Sequence, residues 1–348
     1  MKKIEILAPV GSVDALKAAV RCGADAVYLG QKNFSARKNS QNFEEDELCA
    51  AVSYAHRCGV KVHQALNILV FDHELADLKR CISSACRAGV DALIVQDWGV
   101  AAIVRVLAPH IKLHASTQMA IYSLAGVQMA EKMGFSRVVL ARELSQKEIS
   151  HIREHTNIEL EVFVHGAYCM CISGQCYMSA AFGGKSGNRG QCAQPCRLPF
   201  TVSGKGENVL SLKDLCLVER MPLLQKMGID SVKIEGRMKR PEYVAAAVTA
   251  CRQARSGEKP DMETLQSVFS RSGFTAGYFD GRIDADMFGY RKKEDVVSAN
   301  DVFKSLSQLY HKQTPLIPIE MNLSVEKDQP ILLEITDPDG HLVSVRGE

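Results

Sequence analysis

The chain has 348 residues, 46% of them apolar and 24% charged, enough for one large or two modest hydrophobic cores. A formal charge of +2 excludes a whole-molecule attraction to nucleic acid or to a membrane surface. No run approaches 18 apolar residues, and Glu5 and Pro9 interrupt the apolar stretch near the start. Neither a membrane span nor a signal peptide is therefore expected, and a cytoplasmic, reducing location is.

From the N-terminus, short β-branched runs alternate with amphipathic segments. IEILAPV precedes a helix that Ser12 opens as N-cap, and DAVYLG follows it. VKVHQAL, DALIVQ, IKLHAST, RVVLAR, IELEVFVHG and SVKIEGR continue the series, mostly apolar without strict alternation, as strands buried on both faces should be. Helices are expected near residues 12–22, 44–58, 72–88, 97–107, 122–133, 145–155, 216–227 and 241–255. Eight strands each followed by a helix predict an α/β fold, a TIM-like (β/α)8 barrel over residues 1–257. A Cys-rich insertion, residues 166–205, falls between strands seven and eight. An open doubly wound sheet is the alternative. The first turn, APVGS, has neither GxGxxG nor a Walker lysine, so nothing points to a nucleotide cofactor.

Residues 258–312 mix METLQSVFS, the glycine-rich FTAGYFDGR and a helix near 300–311, and read as an extension packed on the barrel. KQTPLIPIEMNLSV, QPILLEITD and HLVSVRG then read as three strands. Three strands make a poor independent core, so residues 313–348 are expected to be an incomplete β domain.

In a barrel of this type the chemistry sits at the carboxyl ends of the strands. The residues there are polar: Ser12, Gln64, Asn67, Ser116, Gln118 and Arg142. Strand seven ends at His165, and strand eight ends in Glu235 and Arg237, a carboxylate and a guanidinium able to hold a small acidic co-substrate or position a proton donor. His165, Glu235 and Arg237 are thus the catalytic candidates, and Asn67, Ser116 and Arg142 candidates for substrate binding. The plainer alternatives are that Glu235 and Arg237 form a structural ion pair and that His63 and His114 are hydrogen-bonded barrel histidines.

The strongest chemical feature is a quartet of cysteines, Cys169, Cys176, Cys192 and Cys196, spaced C-x6-C-x15-C-x3-C in a stretch rich in glycine and small polar residues. Thiolates on such a backbone suit an iron-sulfur cluster or zinc. Disulfide pairing competes, but in a reducing compartment clustered cysteines more often bind metal. Cys171 is a possible substitute ligand. Cys22, Cys49, Cys58, Cys81, Cys86, Cys216 and Cys251 are scattered singly and read as small buried hydrophobes. From Val162 to Lys205 there is no Asp or Glu, while Lys185, Arg189, Arg197 and Lys205 fall in that interval. This charge favours anions near the cysteines, or it offsets the thiolates themselves.

The segment EVFVHGAYCMCISGQCYMS, with ADAVYLG, FSARKNSQNF and SLKDL...KIEGRMKRPEYV, resembles peptidase family U32, the collagenase-like peptidases, over about residues 1–290. The resemblance implies a barrel-like catalytic domain and two accounts of function. One is protease action, collagen cleavage included. For it the residues offer no HExxH helix, no GxSxG elbow and no aspartic dyad. Cys169 after His165 is the best nucleophile candidate, and four thiolates would close a zinc site that a peptidase needs open. The other account follows members similar in the cysteine region, which are iron-sulfur proteins that hydroxylate RNA bases or a quinone ring. In the RNA branch the target is a pyrimidine of ribosomal or transfer RNA, with a prephenate-derived metabolite implicated. That branch implies Cys169, Cys176, Cys192 and Cys196 as ligands of a 4Fe-4S cluster, with structural zinc as the alternative. Lys185, Arg189 and Arg197 would then hold RNA phosphates and Arg237 a carboxylated co-substrate. The barrel mouth would receive an extruded base, with Tyr168, Tyr177 and Phe182 as available stacking rings. A third reading is a non-catalytic RNA-binding factor with a structural cluster.

Overall fold

The computed structural model describes residues 3–37, 40–204, 207–291, 299–311 and 318–347; Lys205 and the first residues of the segment KQTPLIPIEMNLSV lie outside them. Short, fully buried strands such as β2 (Ala26–Leu29) and β4 (Ala92–Val95) have no solvent face, which is why their sequences are continuous apolar runs. With β1 (Glu5–Pro9), β3 (Lys61–Leu66), β5 (Lys112–Ala115), β6 (Arg137–Val139) and β7 (Glu159–Ala167) they form a parallel series in chain order. β8 (Asp214–Cys216) runs antiparallel to the end of β7, pairing His165 with Cys216. β9 (Ser231–Ile234) is parallel to both β7 and β1, and that double pairing closes the ring. The fold is an eight-stranded parallel β/α barrel, β1 to β7 plus β9, and the open-sheet alternative is excluded by the closure. The segment SLKDL, between the cysteine segment and the last barrel strand, contributes the start of β8. Three residues are too short a run for periodicity to reveal.

Helices α1 (Val13–Cys22), α2 (Glu45–Arg57), α3 (Leu75–Ala88), α4 (Trp98–Leu107), α5 (Leu124–Lys132) and α6 (Gln146–Glu154) link successive strands. Ser12 caps α1 as expected, its hydroxyl accepting from Ala15 N. α7 (Met178–Gly183) lies within the cysteine segment; α8 (Met221–Lys226) and α9 (Pro241–Arg255) flank β9. Among the described residues no helix is long and apolar enough to cross a membrane.

The chain divides into two compact units, residues 1–310 and 311–348. In the first, α10 (Met262–Val268) precedes β10 (Phe274–Thr275), which extends β8, and α11 (Ala299–His311) follows. Tyr310 Oη donates to Glu242 Oε1 at 2.9 Å, and the Arg240 guanidinium covers the Phe303 ring, so α11 is held against α9. In the second unit β11 (Glu320–Ser324), β12 (Leu332–Thr336) and β13 (Leu342–Arg346) form an antiparallel meander. The side chains of β11 and β13 are exposed, which leaves that unit with the thin core its sequence predicts.

Charged groups occupy the barrel interior. Glu161, fully buried, accepts from Lys233 Nζ and Arg137 Nη1, each at 3.0 Å; Arg137 also donates to Glu5 at 2.6 Å and to Glu159 at 2.7 Å. Burial opposes ionisation of Glu161, but Lys233 and Arg137 overcome it and hold its pKa at about 2. His63 and His114 sit in the barrel as expected, edge to face at 4.7 Å, and their Nδ1 atoms have no hydrogen-bond partner among the described residues.

These histidines make stability acid-sensitive. Burial lowers His63 and His165 to about 4, and His114 well below its ordinary value. Each stays neutral in the fold while the unfolded chain takes up a proton near pH 6.5, so their contribution is complete above that pH and declines as pH falls toward 4. His63 and His165 together should cost about 4 kcal/mol between pH 7.5 and 5. Urea unfolding at the two pH values measures this; equal midpoints would contradict it.

Candidate functional site

The carboxyl ends of the barrel strands open into a cavity of about 400 Å³. The segment after β7 folds across it, and backbone contact fixes how closely it approaches. Gly174, at φ 75°, lies where a Cβ would fall 2.1 Å from Gln118 O, and Gly190, at φ 77°, where a Cβ would fall 2.5 Å from Ser35 O. Side chains complete the anchoring. Glu143 accepts from Ser173 N and from Ser173 Oγ, the latter at 2.9 Å. Ser179 Oγ accepts from Ala193 N and donates toward Cys192 Sγ.

This fold brings Cys169, Cys176, Cys192 and Cys196 to one cavity wall. All twelve cysteines of the chain are free thiols, so the disulfide reading is not what the fold contains. Burial pushes the Cys196 thiol up, the Arg197 guanidinium opposes this, and Cys169, Cys192 and Cys176 surround it. Cys171 lies beside Cys176 and Cys169. Among the described residues no three cysteine sulfurs lie within 4.8 Å of one another. A single tetrahedral zinc with Zn–S of about 2.3 Å would draw its sulfurs to about 3.8 Å apart. Four soft donors at one cavity are able to hold a metal ion or a metal–sulfur cluster. Of the scattered cysteines, Cys22, Cys81 and Cys251 are buried as expected, whereas Cys58 and Cys86 are exposed because they fall on the outer faces at helix ends.

The same cavity is lined by Asn67, Ser116, Arg142, Glu235 and Arg237, all foreseen from strand-end position. Asn67 Oδ1 accepts from Ala36 N, and Ser116 Oγ from Gln118 N. Arg142 lies over the Phe163 ring with its Nε buried and without a partner. Glu235 and Arg237 do not pair with each other. Glu235 Oε1 accepts from Arg37 Nη2 at 2.7 Å, and Arg237 Nη1 donates to Ser35 Oγ at 2.7 Å. Burial works against ionisation of Glu235, yet Arg37 and then Arg142 hold its pKa at about 2, so it is a fixed anion and hydrogen-bond acceptor rather than a proton donor near neutral pH. Burial lowers Arg237 to about 10.

Three sequence assignments change. His165 does not line the cavity; its buried ring lies between Tyr243 at 5.6 Å and Phe274 at 5.2 Å, because β8 covers the end of β7. Arg189 is committed to the protein, donating to Glu74 at 2.6 and 2.7 Å and to Leu69 O at 2.7 Å, with Phe71 beneath it. Arg197 lines the cavity but spends its donors on Ser211 Oγ, Leu212 O and Tyr168 O. These two arginines position the cysteine segment; Lys185 is exposed and outside the cavity. Of the rings, Tyr168 lines the cavity, while Tyr177 and Phe182 are exposed and do not. Sequence reasoning missed Arg37, Lys233 and Lys239, which also line it. Arg37 follows strand two, where a strand-end rule applied to every strand would have found it.

The sequence pattern of Peptidase family U32 matches residues 11–288. The chain is 33% identical to tRNA hydroxylation protein P1 of Bacillus subtilis over 95% of this chain and 83% of the relative. It is 40% identical to the 23S rRNA 5-hydroxycytidine C2501 synthase of Escherichia coli, over 72% of this chain but 39% of that longer protein. An uncharacterized protease of Methanocaldococcus jannaschii is 36% identical over 80% of this chain and 74% of its own length. With a match across the barrel, the cysteine segment and the loop after β9, the chain belongs to peptidase family U32.

Proposed function

We propose that the chain is an iron-sulfur-dependent hydroxylase that acts on a pyrimidine base in ribosomal or transfer RNA. The observation that carries this is the convergence of four cysteines on a cavity that Arg37, Arg142, Lys233, Arg237 and Lys239 also line. Relatives named for tRNA hydroxylation and for 5-hydroxycytidine synthesis in 23S rRNA support the choice of substrate. Cys169, Cys176, Cys192 and Cys196 would hold a 4Fe-4S cluster, which supplies electron-transfer chemistry when bound.

The chain's own residues do the rest. Arg142, with its buried and unpartnered Nε, is the donor best placed for a carboxylated co-substrate. Lys233 adds positive charge beneath it, and its bond to Glu161 keeps the ammonium in place. Asn67, Ser116 and Gln118 line the cavity with polar groups that suit the edge of an extruded base. Glu235, locked as an anion by Arg37, can accept from an exocyclic amine or ring N–H. Proteolysis by Cys169 would need a histidine at hand, and the buried His165 is not in the cavity.

Mass spectrometry of nucleosides from ribosomal and transfer RNA of a deletion strain tests the reading. One pyrimidine should lack an oxygen atom, and the wild-type gene should restore it. RNA identical to the parent strain's would overturn the proposal.

A further inference from the structure

We propose a phosphate-binding subsite on the rim of this cavity, formed by Lys239, Arg271 and Arg291 around the ring of Phe269; assigning its ligand to the RNA backbone rests on the hydroxylase reading above. Three cations crowd one aromatic ring there: Lys239 Nζ at 2.9 Å from the ring centroid, Arg291 at 4.7 Å and Arg271 at 5.0 Å. Lys239 and Arg271 line the cavity.

Among the described residues few carboxylates balance them. Asp214, fully buried, is the carboxylate that pairs with Arg271. Glu235 also acts on Lys239 but is ion-paired with Arg37. Arg197 adds a further cation beside Arg271 and Asp214. The thiols influence Arg197 but are not among the groups that act on Lys239, so their charge does not neutralise this cluster. Lys239 Nζ has no hydrogen-bond partner among the described residues, and burial, then Arg271, lowers its pKa to about 7. Like charges held this close while partly desolvated are stabilised by an anion that sits among them. A phosphate matches in charge and geometry, taking a point charge from the lysine and planar donors from the arginines. Phe269 lies within reach of all three cations, and cation–π attraction offsets part of their mutual repulsion.

The ligand is a phosphodiester of the RNA or a small phosphorylated compound, and two titrations of the full-length holoprotein separate them. The first follows a fluorescent single-stranded oligoribonucleotide by anisotropy across a salt series for the wild type, Lys239→Met, Arg291→Gln and Lys239→Arg. Each lost phosphate contact should flatten the slope of log K against log salt by about 0.7, and affinity should fall by roughly tenfold in Lys239→Met at low salt. Lys239→Arg should restore most of it, and thermal melts should show all variants folded. The second titrates pyrophosphate by calorimetry. Binding of pyrophosphate by the wild type but not by Lys239→Met, with no RNA binding by either, would keep the subsite and remove the RNA reading. RNA binding with the same slope in the wild type, Lys239→Met and Arg291→Gln would overturn the subsite and leave the RNA reading standing. Failure of the wild type to bind either ligand would overturn the subsite.

Discussion

Replacing Cys176 by alanine is expected to strip the chain of its cofactor and to lower RNA hydroxylation by at least about 100-fold, more than loss of an outer-shell partner costs. The expectation follows from placement. Cys176 lines one cavity with Cys169, Cys192 and Cys196, and the neighbouring loop is pinned by Gly174 against Gln118 and by Ser173 against Glu143, so the backbone cannot bring a distant donor into its place. Cys171, beside Cys176, is the one thiol able to compensate. The double variant Cys171→Ala/Cys176→Ala should retain as much residual iron as the single one if Cys171 does not substitute for Cys176, and less if it does. Iron content and nucleoside analysis of the complemented deletion strain check both statements. Retention of full iron content and activity by Cys176→Ala would remove it from the ligand set.

Substituting Glu161 by glutamine should destabilise the barrel by about 3–5 kcal/mol, the range for breaking a buried ion pair. Glu161 is fully buried, and among the described residues Lys233 has no other carboxylate within salt-bridge distance, whereas Arg137 keeps Glu5 and Glu159. The amide preserves volume and one acceptor, so the loss reports the uncompensated Lys233 charge rather than a cavity. Urea unfolding at pH 7.5 measures it. Lys233→Met in the same background should recover part of the stability, because the unpaired cation is gone, but at the expense of activity, since Lys233 also lines the cavity. An unchanged midpoint in Glu161→Gln would show that the interior network is not held by this carboxylate.

Much of the barrel was legible because its strands are buried on both faces. VKVHQAL and DALIVQ become β3 and β4 with the apolar continuity that burial demands, and the charges inside the ring, Glu161 and Lys233, hide in that pattern because each has a partner. The cysteine quartet was legible from spacing alone. The pairing of polar residues was not. Glu235 and Arg237 are two apart in sequence, yet their partners, Arg37 and Ser35, come from the loop after β2, which the ring closure carries next to β9. Arg189 and Arg197 looked like phosphate ligands because sequence shows charge without direction; in the fold their donors turn inward to Glu74 and to backbone carbonyls. His165 ends a strand, as a catalytic residue should, but β8 closes over it, and so short a strand leaves no mark in a sequence.

Iron and acid-labile sulfide in anaerobically purified protein test the central claim most directly. About four of each per chain, with a brown colour lost on oxidation, is the expected result. A colourless protein with one zinc ion and no sulfide would contradict it, because the four thiols would then serve a closed structural site and not a redox cofactor.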